Sequence, residues 1–183
     1  LIGQNKINIL NHDRQFFKKI IQPRFDDKLI KLIHLANPMK KTGILLVNLG
    51  SPESPDASDI RAYLKEFLSD ARVMTMPAIV RFFILHLMIL PFRPRKIREK
   101  YLAIWDGKGF PLIQHTRELA DKLEMIAPQD TIVRYAMRYG NPSLEEGLND
   151  LKRQHVEKIV LVPLFPQYSS ATSGSVIERS MEI

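Results

Sequence analysis

The chain has 183 residues, 45% of them apolar and 26% charged, which is the composition of an ordinary globular protein with room for one core. It contains no cysteine, which excludes disulfides and thiolate metal sites within this sequence. The net charge of +7 is concentrated in residues 1–41, with nine Lys and Arg against three Asp, whereas the remaining residues hold 18 basic and 17 acidic groups, so a nucleic-acid partner is not expected.

Residues 1–38 give little indication of a fold. They show weak helical periodicity around Pro23, and no continuous apolar core of the kind found in a secretory signal. Three aspartates and the lack of serine argue against a transit peptide. We therefore expect residues 1–38 to be disordered or not native, with Met39 as the natural start of the domain.

The first strand is predicted from the continuous apolar run Gly43 to Leu49, which ends in Gly50-Ser51-Pro52. On the residues alone, this turn is best interpreted as a tight turn that begins a crossover. Ser54 and Pro55 favour the start of a helix that continues through Leu68. Its core-facing side is predicted to hold Ile60, Tyr63, Leu64 and Leu68.

The most apolar segment runs from Val80 to Phe92. Its uncharged part, residues 82–92, is too short to cross a bilayer, which takes about 20 residues. It is either a core helix or an interface, and a basic cluster follows it directly (Arg93, Arg95, Lys96, Arg98, Lys100). An apolar helix beside such a cluster suits shallow insertion into anionic lipid, and we favour this over simple core packing. His86 is interpreted as a packed or interfacial side chain rather than a metal ligand.

Two further helices are predicted before the next strand. The first covers Pro94 to Trp105, and Tyr101 lies on it about two turns after Arg93 if Arg93 continues the helical path. As structural elements these two would be a solvated arginine and a half-buried tyrosine. After a turn at residues 106–111, Leu112 to Ile126 forms an amphipathic helix whose sheet-facing residues are predicted to be Leu119, Leu123 and Ile126.

The second strand, Thr131 to Arg138, ends beside the turn Tyr139 to Pro142. Arg138 could therefore bind an anion at the strand end, with a surface salt bridge as the ordinary alternative. Ser143 and Glu146 have the spacing of a capping box and predict that a helix begins there.

The third strand is predicted from Ile159 to Leu164, whose continuous apolar character is typical of a parallel strand covered on both faces. The hydroxyl-rich segment Gln167 to Ser175 follows it and includes Tyr168. These hydroxyls either cap the next helix or contact a ligand, and the residues alone do not decide between the two. Three βα units in sequence predict an α/β fold, a parallel sheet flanked by helices, with all three loops at one edge.

Three of these segments carry a family resemblance. PLFPQYSSATSGS at residues 163–175 resembles the PxYPQYSxxTxGS signature of ferrochelatases, which insert ferrous iron into a porphyrin. Residues 41–73 resemble the amino-terminal opening of the same family, and MRYGNPSLEE at residues 137–146 resembles its central motif. The resemblance implies a three-layer, Rossmann-like chelatase domain at residues 39–183, truncated at its carboxyl end, with residues 1–38 outside the family pattern.

The resemblance also implies a set of substrate-binding residues. Arg93 is expected to contact a propionate, Tyr101 the macrocycle, and Arg138 the active site. The family commonly has Gly-Ser-Pro where this chain has Gly109-Phe110-Pro111, so no polar contact is expected from Phe110. The complete set is Leu49, Gly50, Ser51, Pro52, Arg93, Tyr101, Arg138, Tyr168, Ser169 and Thr172.

The activity implied by the resemblance is insertion of ferrous iron into protoporphyrin IX, the last step of heme biosynthesis, at a cytoplasmic membrane surface contacted through Val80 to Arg93. Iron is then a substrate and no permanent cofactor is expected. Ser170 stands where cluster-containing relatives have a cysteine, so no iron–sulfur ligand is expected from this half.

The family's proton acceptors are a histidine in S-x-H-S-x-P and a later glutamate. Neither motif matches any segment of this sequence. We therefore expect both residues to lie after Ile183, where the chain stops inside a predicted helix that has only just begun. No catalytic residue is expected before that point, and the chain alone is expected to be inactive.

Three alternatives remain open at this point. A related activity would act on coproporphyrin, whose four propionates demand more basic contacts. A non-catalytic porphyrin- or lipid-binding module belongs to a different functional class. A generic phosphate-binding α/β domain is the weakest, because the sequence has neither G-x-G-x-x-G nor a P-loop.

Overall fold

The three predicted strands form one parallel sheet in the computed structural model, which describes residues 41–183. Strand β1 spans Thr42–Asn48, β2 spans Thr131–Met137 and β3 spans Lys158–Pro163, in the order β2-β1-β3. The register starts level on both sides of β1, so the three strands end at the same edge. The predictions for residues 1–38 and Met39 fall outside the described residues.

Helices follow each strand, which confirms the α/β class. Two of the helical elements are π-helical segments, named π1 and π2, and each runs directly into the α-helix that follows it. In chain order the helical elements are α1 (Ala57–Ser69), α2 (Ala78–Phe83), π1 (Ile84–Ile89), α3 (Leu90–Leu102), α4 (Pro111–Ile126), α5 (Leu144–Arg153), π2 (Ser170–Gly174) and α6 (Ser175–Glu182).

The sheet is covered on both faces, giving the expected three layers. Leu45 and Val47 of β1 pack with α5 and α6 on one face, and Ile44 and Leu46 pack with α4 on the other. A third cluster lies at the carboxyl edge, where α1, π1 and α3 surround Tyr139. Strand β1 is therefore the buried centre of the domain.

Strand β3 departs from the prediction that it is fully buried. Its residues are half-buried or exposed, because within residues 41–183 it pairs with β1 alone and stands at the edge of the sheet. A continuous apolar run predicted the strand correctly but not its place in the strand order.

Helix boundaries account for two more corrections. Helix α1 begins at Ala57, not at Ser54, whose Oγ donates to the Asp59 carboxylate and accepts from the Asp56 N–H instead. The predicted face of α1 is confirmed. Helix α3 begins at Leu90, before the predicted Pro94, because the chain continues helically out of π1.

The prediction for Ile126 is wrong, since its side chain is 43% exposed. The buried face of α4 runs through Thr116, Ala120 and Leu123, and Ala127 packs one turn further on. The capping box of α5 is confirmed: the Ser143 side chain accepts from the Glu146 N–H, and the Glu146 carboxylate accepts from the Ser143 N–H.

The last helix, α6, covers Ser175–Glu182. The Ile183 side chain is partly buried and packs against the core cluster that contains Leu45, Val47 and Val176. Its role in the described domain is therefore packing beneath the sheet.

Candidate functional site

Three loops meet at the carboxyl edge of the sheet, where open α/β sheets place their ligands. Residues 49–52 follow the central strand, residues 138–142 follow β2, and residues 164–169 follow β3. Since β1 lies between the other two strands, the loop that follows β1 starts between the loops that follow β2 and β3. The three family-like segments are thus brought to one edge, as predicted.

The Gly50 turn is locked against the loop after β2. The Arg138 N–H donates to the Asn48 carbonyl at 2.8 Å, and the Tyr139 N–H donates to the Leu49 carbonyl at 3.0 Å. Gly50 has a φ of 108°, and a Cβ there would lie 1.7 Å from the Tyr139 carbonyl oxygen. A glycine is therefore required both by the backbone conformation and by the close approach. The structure confirms that residues 49–52 form a tight turn. Contact of this turn with a porphyrin stays a prediction.

The Arg138 side chain is not a free anion site. Its Nη2 donates to the Asp70 carboxylate at 2.8 Å, and its Nε donates to Ser175 Oγ at 2.7 Å. The guanidinium also lies 4.5 Å from the centre of the Tyr139 ring. The Arg138 and Asp70 side chains are only 14% and 7% exposed, so the ion pair is largely buried rather than the surface pair considered above.

The Asp70 carboxylate accepts hydrogen bonds from four donors, three of them at one oxygen. Its Oδ2 accepts from Arg138, from the Tyr139 hydroxyl at 2.7 Å and from Ser175 Oγ. Burial alone would raise the pKa of Asp70, but the hydrogen bonds from Ser175, the Arg72 N–H and Tyr139, together with Arg138, hold that pKa below its usual value. Burial, and then the hydrogen bond to Asp70, raises the pKa of Tyr139 to about 12. Asp70 is thus an anion at neutral pH.

Tyr168 presents the most exposed aromatic ring of the three loops, with 72% of its surface accessible. Behind it the predicted cap is present: the Ser169 N–H donates to Thr172 Oγ1 at 3.1 Å, and the two hydroxyls are 2.7 Å apart. The capping interpretation is confirmed for Ser169 and Thr172, and contact with a ligand stays a prediction. Ser169 and Thr172 shape the loop, while Tyr168 is available to a ligand.

Arg93 and Tyr101 lie on the same helix, α3, as the spacing predicted. Tyr101 is half-buried, and the centre of its ring lies 5.5 Å from that of Phe110. The Phe110 side chain is buried and also packs edge-on against the Trp105 ring at 4.9 Å. Burial raises the pKa of Tyr101, and the nearby Arg93 opposes this rise. Arg93 is exposed and makes no ion pair within the described part of the chain.

Many side chains of the apolar segment are exposed. Leu85 and Leu90 pack in the carboxyl-edge cluster, while seven other apolar side chains in and just before the segment are between 46% and 73% exposed (Ile79, Val80, Phe82, Phe83, Leu87, Met88, Phe92). His86 stacks on the Phe82 ring at 4.3 Å. These side chains are therefore not buried in the core, and contact of the segment with a membrane stays a prediction. None of the helices within residues 41–183 is long and apolar enough to cross a membrane.

The predicted residues assemble in two linked groups. Leu49 and Tyr101 pack against the cluster that contains Tyr139, and the Gly50 turn contacts Tyr139 directly. The Tyr168 loop is joined to the same place through Ser175 and Asp70. In residues 41–183 we find no grouping of His, Asp or Glu with the geometry of a metal site.

Sequence reasoning missed Asp70, Tyr139 and Arg72 as members of the site. Asp70 is separated from Arg138 by 68 residues, so no local pattern joins them. One signal was present: Asp70 caps the carboxyl end of α1, where the helix dipole disfavours an anion. An acidic residue in that position calls for a cationic partner from elsewhere in the chain.

Comparison with known proteins identifies the family of this chain. The ferrochelatase family model matches residues 41–183. A ferrochelatase of Alcanivorax borkumensis is 43% identical over 151 residues, covering 80% of this chain and 44% of the relative. Ferrochelatases of Chromobacterium violaceum and Herminiimonas arsenicoxydans are 42% and 46% identical, covering 78% and 76% of this chain. The chain spans 40% and 39% of those two relatives, respectively. With this match across its whole described domain, the chain belongs to the ferrochelatase family.

Proposed function

We propose that this chain forms one wall of a ferrochelatase porphyrin site, in an enzyme that inserts ferrous iron into protoporphyrin IX to give protoheme. The observation that carries the proposal is the exposed Tyr168 ring, which lies at the same carboxyl edge of the sheet as the Gly50 turn. An aromatic macrocycle is recognised chiefly by flat apolar contact, which an exposed tyrosine supplies. Iron enters as a substrate, and no permanent cofactor is proposed.

Arg93 is the better propionate partner of the two candidate arginines. Arg138 is already neutralised by Asp70, whereas Arg93 is exposed and has no carboxylate partner in the described residues. A guanidinium binds a carboxylate through two parallel hydrogen bonds, which fixes the orientation of the ligand as well as its charge. Arg93 and Tyr101, on one helix, would then orient the macrocycle edge.

Metal insertion requires two pyrrole protons to leave and the metal to approach the ring face. The contribution proposed for this chain is binding and orientation of the porphyrin. Asp70 does not suit proton transfer, because four donors already hold its carboxylate in the ionised form. We therefore propose no proton-transfer role for Asp70.

Titration of the chain with protoporphyrin IX tests the proposal through the Soret band and tyrosine fluorescence. Tyr168→Ala should weaken binding by about tenfold, since an aromatic contact contributes about 0.5–1.5 kcal/mol beyond its buried area. Tyr168→Phe keeps the ring and should bind like the parent chain. Absence of porphyrin binding, or equal binding by all three proteins, would contradict the proposal.

The same titration also tests which porphyrin is preferred and whether this chain alone inserts the metal. Tighter binding of coproporphyrin than of protoporphyrin would favour the coproporphyrin activity. Adding ferrous iron under anaerobic conditions then reports metallation in the visible bands. Binding without metallation fits a wall of the enzyme site and also a binding module, whereas metallation by this chain alone would contradict the expectation that its proton acceptor is missing.

We further propose that the exposed face of α2, π1 and α3 rests on anionic lipid at a cytoplasmic membrane surface. Its seven exposed apolar side chains are followed directly by five basic residues (Arg93, Arg95, Lys96, Arg98, Lys100). Apolar insertion and attraction to anionic headgroups act together in such surfaces. A hydrophobic substrate could then enter the site from the lipid.

Vesicle co-sedimentation tests this membrane contact. Replacing Leu87 and Met88 by Ser should reduce binding to vesicles of phosphatidylcholine and phosphatidylglycerol by at least about tenfold, because burying one such side chain contributes about 1.5–3 kcal/mol. The matched control replaces Met125 and Ile126, an exposed apolar pair on α4, and should bind as before. Equal losses in both variants would overturn the assignment of this face.

A further inference from the structure

We propose that Asp70 is a positioning residue of the porphyrin site, which holds the Tyr168 loop against the loops that follow β1 and β2. The inference rests on the proposed function for its ligand. It concerns a residue outside the substrate-binding set implied by the family resemblance. Asp70 acts through Arg138 and Ser175 and contacts no substrate itself.

The first link is made by the Asp70 carboxylate. One oxygen, Oδ2, receives hydrogen bonds from Arg138 and Tyr139 after β2 and from Ser175 at the start of α6. Arg138 also donates directly to Ser175 Oγ at 2.7 Å. The end of α1, the loop after β2 and the start of α6, which follows the Tyr168 segment, are therefore joined at the Asp70 carboxylate.

The second link is made by Arg72, whose backbone N–H donates to Asp70 Oδ1 at 2.7 Å. Arg72 Nη1 donates to Ser170 Oγ at 2.9 Å, and its Nε and Nη2 bind both oxygens of Glu178 at 2.6 and 3.1 Å. Asp70 and Arg72 thus hold the segment that follows Tyr168 at two points, Ser170 and Ser175.

The loop itself has few other means of fixing Tyr168. Residues 166–170 are exposed, so apolar packing contributes little to their order. The Tyr168 hydroxyl lies 3.3 Å from where a Cβ on Gly174 would be, and Gly174 directly precedes Ser175. Releasing Ser175 would therefore free the segment on which Tyr168 rests. A binding loop that must be ordered by its ligand binds more weakly than one ordered in advance.

The test compares Asp70→Ala and Asp70→Asn in the chain without and with protoporphyrin IX. Hydrogen exchange without porphyrin should speed up about tenfold or more at the Thr172 and Gly174 amides, which both donate to the Ser169 carbonyl, while β1 amides stay protected. The porphyrin Kd should rise about tenfold at a temperature well below unfolding. Asp70→Asn, which keeps the shape and one acceptor oxygen, should give smaller changes in the same direction and remains informative if Asp70→Ala does not fold.

The control is Asp150→Asn, which weakens the ion pair between Asp150 and Arg134 on the strand that precedes Arg138. It should leave both the loop exchange and the porphyrin Kd unchanged. Unchanged loop exchange in both Asp70 variants would overturn the inference, and so would faster exchange with an unchanged Kd. If the parent chain does not bind porphyrin, the proposed function fails instead, and the exchange data still decide whether Asp70 orders the loop.

Discussion

Gly50→Ala should be among the most destabilising single substitutions in this chain. The new methyl group would lie 1.7 Å from the Tyr139 carbonyl oxygen, and this oxygen belongs to backbone that is itself paired with Leu49. Relief requires the two loops to separate, which breaks the contact between the central strand and β2 at the carboxyl edge. We expect a loss of at least about 4 kcal/mol in unfolding free energy, the range reached only by severe steric or packing defects.

Gly107→Ala is the matched control for this experiment. Gly107 also has a positive φ, 84°, but a Cβ there meets nothing within 4 Å. It should therefore cost only the backbone strain, about 1–2 kcal/mol. Urea unfolding of both variants separates conformational strain from the clash. If the two losses agree within about 1 kcal/mol, strain alone explains the glycine at position 50.

Arg138→Met should destabilise the chain by about 3–5 kcal/mol at pH 7, because it leaves the Asp70 carboxylate buried without its cation. In the parent chain the folded pKa of Asp70 lies below its unfolded value of about 3.9. The ionised form therefore contributes stability above that pH, and the contribution is lost as the pH falls through the folded pKa. In the variant the pKa of Asp70 should rise, so the difference between the two proteins should narrow below about pH 4.

Arg134→Met is the matched control, because it removes an arginine ion pair that is more exposed and lies on β2, just before Arg138. Arg134 pairs with Asp150 at 2.7 Å and Glu124 at 2.9 Å, but it is one-third exposed. Its removal should cost no more than about 1 kcal/mol, because solvent screens the pairs. Urea unfolding from pH 3 to pH 7 measures both variants. A loss for Arg138→Met that equals the Arg134→Met loss, or that does not depend on pH, would show that burial of the Asp70 pair adds nothing.

Those parts of the fold that depend on local pattern could be predicted from the sequence. Continuous apolar runs predicted β1 and β3, the second strand was predicted at Thr131 to Arg138, and the Ser143 and Glu146 spacing predicted the start of α5. The half-buried state of β3 could not be predicted, because burial depends on the order of strands in the sheet. The start of α1 could not be predicted from Ser54, because a hydroxyl near a helix start can form hydrogen bonds with more than one neighbouring group.

For the candidate site, local pattern placed the loops but not their connections. Family-like segments indicated Tyr168 and Arg138, and parallel strands brought them to one edge. The charge of Arg138 is neutralised by Asp70, which lies 68 residues earlier in the chain, at the end of α1. Side-chain pairing across such a distance is decided by packing of α1 against the sheet edge, for which periodicity gives no information.

The central position of β1 also constrains how the domain folds. Thr42 is in register with Thr131 and Lys158, so the most apolar strand pairs with segments 89 and 116 residues further along the chain. Closing such large loops before any pairing is gained makes folding slow. While the ribosome is still synthesising β2 and β3, β1 is an unpaired apolar segment open to association with other chains. The arrangement that gives the finished domain its core thus leaves its central strand exposed until both partner strands have been synthesised.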